Sequence, residues 1–212
     1  MSSDKTAMRV GNPRGSGSNL RAEILAAAER LLATAGSRDA VTLRAIAREA
    51  GIAAPSIYPH FPDRDAILDA VVARTFVALA QTCRAAAAAA PRGVEAVEAI
   101  SLAYIAFARH NPGRYRILFD RSPANIASPP HQYPEGIEAF QLLMNELDEL
   151  AAKGDSPRDL HPMLDAQSLF AALHGIATLP PALPAFPWLD ETALVRNVLT
   201  KIVGRPREAD VP

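Results

Sequence analysis

Residues 42–68 read TLRAIAREAGIAAPSIYPHFPDRDAIL, and this stretch decides the fold of the N-terminal part of the chain. Thr42 places a hydroxyl where a helix can start, and Gly51 can adopt the left-handed conformation that ends one. Between them, apolar residues recur on one helical face at three- and four-residue spacing: Leu43, Ile46, Ala47 and Ala50. The spacing therefore predicts a short helix that is stopped by a glycine turn.

A second, shorter helix is expected directly after this turn. Pro55 fits only the first turn of a helix and Pro59 cannot lie far inside one, so the helix covers roughly 54–58 or 54–60. It is too short to be stable alone, and we expect Ile57 and Phe61 to hold it by packing inward. Two helices around a glycine turn have helix-turn-helix spacing, in which the second helix enters a DNA groove.

Helical patterns continue on both sides of this unit. A helix over 18–35 ends at Gly36, and a long helix begins after Asp63 and ends where Pro91 and Gly93 follow the alanine tract. Further helices are predicted over 94–109, 112–119, 134–153, 163–179 and 190–203, with Gly154 and Gly204 as stops. No strict apolar alternation persists over six residues, so the fold class is all-α.

Composition limits the classes of protein to which the chain can belong. It has 212 residues, of which 49% are hydrophobic and 21% charged, enough for a substantial buried core. Cys83 is the one cysteine, so no intrachain disulfide can form, and we expect it to be a small buried side chain. The N-terminal segment lacks the apolar run of a signal peptide, which favours a cytoplasmic protein. Residues 169–189 carry no Asp, Glu, Lys or Arg, but repeated prolines argue against a membrane span.

Charge is distributed unevenly along the chain. Residues 1–64 carry nine Lys and Arg against six Asp and Glu, whereas residues 65–212 carry thirteen against seventeen. The excess of positive charge in the first part fits a nucleic-acid surface, although the overall net charge is only −1. This asymmetry alone is weak evidence, because most charge runs are solvated faces.

The residues that carry a family resemblance are spread over about 20–70. They are Arg21, Ile24-Leu25, Ala27-Ala28, Leu31-Leu32, Gly36, Thr42, Ile46-Ala47, Ala50-Gly51-Ile52, Ile57-Tyr58, His60-Phe61, Arg64-Asp65 and Ile67-Leu68. In order and spacing this stretch resembles the DNA-binding domain of TetR (tetracycline-repressor-like) transcriptional regulators. A second segment, 104–119, together with Leu173-His174-Gly175, resembles the TetR C-terminal subgroup named for a Trp-His-Gly motif, with leucine in place of the tryptophan.

The resemblance implies a domain organisation and a set of partners. It implies a helix-turn-helix domain over 18–65 and a helical effector-binding and dimerisation domain over 66–205. The arm over 1–17, which is rich in Ser, Gly, Lys and Arg, and the tail over 206–212 are expected to be disordered. The partners implied are double-stranded DNA with an inverted-repeat operator, a second copy of the chain bound through the last two helices, and a small apolar effector. We expect eight residues of those two helices to form the apolar stripes of the dimer: Leu169, Ala172, Leu173, Ile176, Leu194, Val195, Val198 and Ile202.

DNA-contacting positions follow from the same resemblance. Base-facing positions would be Ala54, Pro55, Ser56 and Pro59, and phosphate-facing positions would be Thr42, Arg44, Tyr58, His60 and Arg64. The small side chains leave base reading to thymine methyls, one hydroxyl and DNA shape. Three side chains keep simpler interpretations: packing for Tyr58, a helix cap for His60 and a solvated charge for Arg48. Ala53 stands where the family usually has a capping Ser or Thr, so the cap of the recognition helix is expected to be missing.

An effector site is expected among aromatic, methionine and histidine side chains of the C-terminal domain. The candidates are Tyr104, Phe107, Tyr115, Phe119, Phe140, Met144, Phe170 and His174. Apolar walls with a few polar groups suit a small-molecule cavity, while core packing is the simpler interpretation of each side chain. His174 could equally be a hydrogen-bonded core histidine.

No residue pattern points to an enzyme, a metal site or a cofactor. The five histidines form no i, i+3 or i, i+4 ligand pair, and no phosphate loop, dinucleotide fingerprint or nucleophile motif occurs. The sequence therefore predicts a homodimeric DNA-binding regulator, most simply a repressor. The alternative is an all-helical small-molecule binding or scaffold protein without specific DNA binding.

Overall fold

The computed structural model describes residues 17–35, 38–119, 134–154, 156 and 159–204, and the regular elements in these ranges are all helical. The α-helices are α1 (Gly17–Thr34), α2 (Leu43–Ala50), α3 (Arg64–Ala89), α4 (Val94–His110), α5 (Pro112–Phe119), α6 (Pro134–Lys153), α7 (Pro162–Ala182) and α8 (Glu191–Val203). Short 3₁₀ helices at Arg38–Ala40 and Ala54–Ile57 precede and follow α2. The all-α prediction is confirmed.

The chain divides into two compact units, and the division falls between Val72 and Ala73, inside α3. The N-terminal unit packs α1, α2, the second 3₁₀ helix and the start of α3 around fully buried aliphatic side chains: Ile24, Ile46, Ile57, Ile67 and Leu68. Arg30 on α1 donates to Glu49 on α2 across 2.6 Å. The short helices are therefore held in place by apolar side chains that α1, α2, the second 3₁₀ helix and α3 bury together.

In the C-terminal unit, α4 packs against α6, α7 and α8. Its largest fully buried side chains come from these four helices: Ile100, Ile105, Leu143, Leu147, Leu169, Leu173 and Leu199. Two ion pairs, Arg109 with Glu191 and Arg196 with Glu98, join α4 to α8 at the surface.

Most predicted helix limits agree with the structure to within one residue. Asp63 caps α3 by accepting from the Ala66 N–H at 2.8 Å, and Asp190 caps α8 by accepting from Ala193 at 3.1 Å. Gly154 and Gly204 follow the ends of α6 and α8 with positive φ. The predicted end of the helix over 163–179 was wrong, because α7 runs through Pro180 and Pro181 to Ala182. Proline's fixed φ lies in the helical range, so a last turn can include it at the cost of backbone N–H donors.

Several predictions lie outside the described residues. These are Gly36 as a helix stop, most of the expected N-terminal arm, and the C-terminal tail. The 3₁₀ helix at Arg38–Ala40, by contrast, was not predicted. Arg38 has 9% of its surface exposed and donates to Asp69 on α3 at 3.2 Å, so this turn is tied to the start of the long helix.

In the described part of the chain, one helix, α3, is long and apolar enough to cross a membrane by length and composition. This is a weak signal, since the core helix of a water-soluble protein passes the same test. The proline-interrupted segment that includes the end of α7 does not meet the criterion.

The proposed dimer stripes on α7 and α8 need one correction. Leu169, Leu173 and Val195 are fully buried in the core of the C-terminal unit, so they are not available to a second chain. The other five are only partly covered: Ala172, Ile176, Leu194, Val198 and Ile202. Helical periodicity alone could not separate the inward rows from the outward rows, because α7 is apolar on most of its circumference.

Candidate nucleic-acid interface and effector site

The turn between α2 and the following 3₁₀ helix is held by both of its ends. Thr42 Oγ1 accepts from the Ala45 N–H at 3.2 Å, which caps the start of α2. Gly51 ends the helix in the left-handed region at φ 67°, and the Ile52 N–H then bonds the Ala47 carbonyl at 2.9 Å. A residue with a Cβ would be strained at Gly51, so the turn depends on this glycine.

The recognition element, residues 54–60, is a single 3₁₀ turn followed by an extra turn. Its N-cap Ala53 makes no side-chain hydrogen bond, and Pro55 occupies the first turn, both as predicted. The His60 and Phe61 N–H groups both donate to the Ile57 carbonyl, at 2.9 and 3.0 Å. Ile57 is fully buried and Phe61 is 3% exposed, so packing holds the element in place of a cap.

The predicted DNA-facing residues of this element are accessible. Tyr58 is 59% exposed, Pro55 and Pro59 are exposed, and Ala54, Ser56 and His60 are partly covered. Packing by Tyr58 against the core, the simpler interpretation, does not agree with this exposure. The recognition element thus presents one hydroxyl, one phenol and one imidazole beside apolar surface.

The arginines of the N-terminal unit fall into two groups. Arg30 and Arg38 are paired with carboxylates, and the Arg21 guanidinium lies 4.8 Å from the centre of the Phe61 ring. Arg44 and Arg48 are both exposed and have no carboxylate partner among the described residues. These two lie one turn apart on α2, where their charges remain available to an external anion.

Arg64 differs from the other predicted phosphate-facing residues. Its guanidinium donates to Asp65 at 2.8 Å and lies 3.9 Å from Asp39. It is only partly exposed, and a DNA phosphate would have to compete with these carboxylates. Nearby carboxylates therefore neutralise the charge of Arg64, but not the charges of Arg44 and Arg48.

A small apolar cavity of about 30 Å³ lies in the C-terminal unit. Four predicted effector residues line it: Tyr104, Phe119, Phe140 and Phe170. Six further lining residues were not predicted: Phe76, Leu79, Cys83, Ile100, Ala139 and Leu143. Five of these six, all but Phe76, are aliphatic or thiol side chains, which in the sequence look like ordinary core residues. The cavity has room for about one water molecule, so most of this region is filled by side chains.

Tyr115 and His174 join the aromatic cluster through hydrogen bonds. The Tyr104 and Tyr115 hydroxyls lie 2.6 Å apart, and the Tyr115 hydroxyl lies 2.9 Å from His174 Nδ1. Burial raises the pKa of Tyr115 to about 12 and raises that of Tyr104 further, whereas it lowers the pKa of His174. All three groups are therefore uncharged near neutral pH. His174 is half-buried and hydrogen-bonded to Tyr115, and neither of these two side chains lines the cavity.

Phe107 and Met144, also predicted as effector residues, are not part of the cavity lining. Phe107 is 7% exposed and packs within the unit, and Met144 is partly covered on α6. Cys83 is fully buried as expected, and burial raises the pKa of its thiol to about 12. Within the described ranges, no three His, Cys, Asp or Glu side chains are placed to hold a metal ion.

Comparison with known proteins finds a family match in each of the two units. Residues 24–71 match the model of bacterial regulatory proteins of the tetR family, and residues 97–196 match that of the tetracyclin repressor-like C-terminal domain. Together the two matches cover more than two thirds of the chain. A search of curated proteins found no match.

Solved structures show the same fold. A protein with unknown function from Rhodococcus sp. RHA1 is 25% identical with a TM-score of 0.74, over 95% of this chain and 98% of that one. The fatty acid degradation regulator FadR from Bacillus halodurans is 20% identical with a TM-score of 0.70, over 94% and 99%. The transcriptional regulator FadR from Bacillus subtilis, solved in complex with stearoyl-CoA, is 18% identical with a TM-score of 0.70, over 86% and 97%.

These matches agree with the geometry of each unit: a helix-turn-helix with exposed, unpaired arginines in one, and a helical bundle with an aromatic cavity in the other. The chain belongs to the tetR family of transcriptional regulators, with a DNA-binding N-terminal domain and a helical ligand-binding C-terminal domain.

Proposed function

We propose that the protein is a cytoplasmic repressor that binds an inverted-repeat operator as a homodimer and leaves it when a small apolar effector binds the C-terminal unit. The observation that carries this proposal is the α2–Gly51–recognition element unit, with two unpaired arginines beside an exposed Tyr58. A cationic helix next to an accessible second helix is the arrangement that DNA phosphates and a major groove require.

On DNA, Arg44 and Arg48 would contact the phosphates, together with the tips of Tyr58 and His60. Thr42 would contribute at the start of α2, where unpaired N–H groups favour an anion. Base reading would fall to Ala54, Pro55, Ser56 and Pro59, which offer one hydroxyl and otherwise apolar contact. Much of the sequence preference would then come from thymine methyls and DNA shape.

The half-exposed apolar row on α7 and α8 supports a homodimer. Ile176, Leu194 and Val198 are partly covered in a single chain. Several exposed large side chains extend this surface at the α7–α8 connection: Leu179, Leu183, Phe186 and Leu189. A second copy would cover them, and its two-fold symmetry would demand an operator with matching half-sites.

The effector part of the proposal rests on the aromatic cavity. Release from DNA needs an effector that binds the DNA-incompetent state better, by about 1 to 3 kcal/mol for a typical regulator. Leu173-His174-Gly175 and the cluster around Tyr115 support assignment to the Trp-His-Gly subgroup. The stearoyl-CoA of the Bacillus subtilis FadR structure exceeds this cavity greatly, so we propose a smaller effector for this chain.

A binding assay tests the regulator directly. Fluorescence anisotropy would compare the DNA upstream of the protein's own gene with random DNA of equal length and composition, at two salt concentrations. We expect tighter binding to the upstream DNA by at least about tenfold, retained at the higher salt, because base contacts resist salt more than phosphate contacts. Equal affinity for both DNAs would favour a small-molecule binding protein without specific DNA binding.

A further inference from the structure

We infer that the effector of this protein is an uncharged ring compound that carries one hydroxyl or carbonyl group, which hydrogen-bonds to Tyr104 while its ring takes the place of Phe119. This inference rests on the proposed function, because it assigns a ligand class to the cavity of the C-terminal unit. Three observations support it: the composition of the lining, the hydrogen-bond chain behind it, and the exposure of Phe119.

The lining determines the charge of the ligand. None of the ten side chains around the cavity is charged, and only those of Tyr104 and Cys83 carry a polar atom. A carboxylate or phosphate placed among these groups would lose its hydration without gaining a cation. The cavity therefore selects a neutral, mainly apolar molecule, and the Tyr104 hydroxyl is its one strong hydrogen-bonding group.

The hydrogen bonds from Tyr104 through Tyr115 to His174 leave the Tyr104 hydroxyl with one unused donor or acceptor position. If Tyr104 donates to Tyr115 and Tyr115 donates to His174 Nδ1, the Tyr104 oxygen keeps an acceptor position. If the chain runs in the opposite direction, from His174 Nδ1–H, the Tyr104 hydrogen is left over instead. A ligand hydroxyl can complete either arrangement, and a ligand carbonyl can complete the second.

Phe119 marks the space that a ring would take. It is 37% exposed although it lines the cavity, and its ring centre lies 4.4 Å from that of His174 and 5.1 Å from that of Tyr115. The cavity itself is too small for a ring. Movement of Phe119 into solvent would add the volume of one phenyl group and leave aromatic faces for the incoming ring.

Calorimetric titration of the full, DNA-free chain tests this with three para-substituted toluenes. These are 4-methylphenol, p-xylene, which lacks the hydroxyl, and 4-methylbenzoate, which is anionic. We expect the wild type to bind 4-methylphenol most tightly. Tyr104→Phe should weaken 4-methylphenol by about tenfold and leave p-xylene unchanged, because only the hydrogen bond is lost.

A second variant tests the position of the ring. Phe119→Ala should tighten binding of both p-xylene and 4-methylphenol several-fold, since the site no longer has to expel its own phenyl group. Equal 4-methylphenol affinity in wild type and Tyr104→Phe, or preference for 4-methylbenzoate, would overturn the inference. Because these titrations contain no DNA, such a failure is separate from a failure of operator recognition.

Discussion

Arg44 and Arg48 are the arginines of the described N-terminal unit that have neither a carboxylate nor an aromatic ring as partner. Arg44→Ala should therefore weaken binding to every DNA sequence by a similar factor. The dependence of log K on log salt should become shallower by about one unit if one phosphate contact is lost. Both quantities follow from anisotropy titrations at several salt concentrations.

Arg30→Ala provides a matched control for Arg44→Ala. It removes the same formal charge from an exposed arginine, but one whose guanidinium is 2.6 Å from Glu49. We expect a much smaller change in the salt slope. Equal slopes for the wild type and Arg44→Ala would contradict the assignment of Arg44 to a phosphate.

Tyr115 links stability to alkaline pH. Burial raises its pKa from the ordinary 10.0 to about 12. Above pH 10 the phenol of the unfolded chain loses its proton, while the folded chain retains it, so folding binds more protons. The contribution of the protonated Tyr115 phenol to the free energy of unfolding is therefore fully present below pH 10 and is lost as the pH rises through 12.

Denaturant unfolding at pH 8 and at several values above pH 10 would measure this loss. Tyr115→Phe should be less stable at pH 8, because it breaks the bonds to Tyr104 and His174, but its stability should fall less steeply above pH 10. An unchanged alkaline slope in this variant would show that other groups cause the loss.

The recognition element lacks the cap that its backbone could accommodate. Ala53 has φ −73° and ψ 139°, the extended conformation of an N-cap residue, and its side chain is exposed. Ala53→Thr should thus raise the free energy of unfolding by about 0.5–1 kcal/mol, and Ala53→Val, of the same shape without the hydroxyl, should not. Chemical denaturation of the three proteins tests this, and equal stability of Thr and Val variants would contradict it.

The helices themselves were largely predictable, because their limits are set by local chemistry. Thr42, Asp63 and Asp190 cap three helices where the sequence places their oxygens, and Gly51 has the positive φ expected of a stop. The end of α7 was missed since proline restricts φ to a value that a helix can use. The turn at Arg38 depends on Asp69, a contact between distant positions that no local pattern specifies.

The candidate sites were less predictable than the helices. Periodicity identifies buried faces, but it cannot tell which buried residues leave a gap between them, so Phe107 was expected at the cavity and Leu79 was not. It also cannot show which charges are already neutralised. The difference between Arg44 and Arg64 appears only once Asp39 and Asp65 are placed.

At the scale of the whole molecule, the remaining prediction concerns association of two chains. Leu194 and Val198 lie on the partly covered row of α8, next to the fully buried Val195. Leu194→Glu or Val198→Glu should convert the dimer to monomers, because a carboxylate would be buried without a cation. Affinity for the operator should fall when the dimer is lost, since a monomer contacts only one half-site.

Asn197→Glu is the control for this prediction. Asn197 is exposed on the same helix, so the added charge should leave the dimer intact. Sedimentation velocity at micromolar concentration reports the state of each variant, and circular dichroism checks that the helices persist. A wild type that sediments as a monomer would contradict the dimer.

Cys83 gives the protein a built-in chemical reporter. It is the one cysteine of the chain, it is fully buried, and it lines the cavity beside Tyr104. A thiol whose pKa is raised to about 12 scarcely reacts in place, so alkylation by iodoacetamide would proceed only when the site opens. The half-time of Cys83 labelling would then report how often the site opens. Any compound that occupies the site would lengthen that half-time, so ligands could be found without an assay of DNA binding.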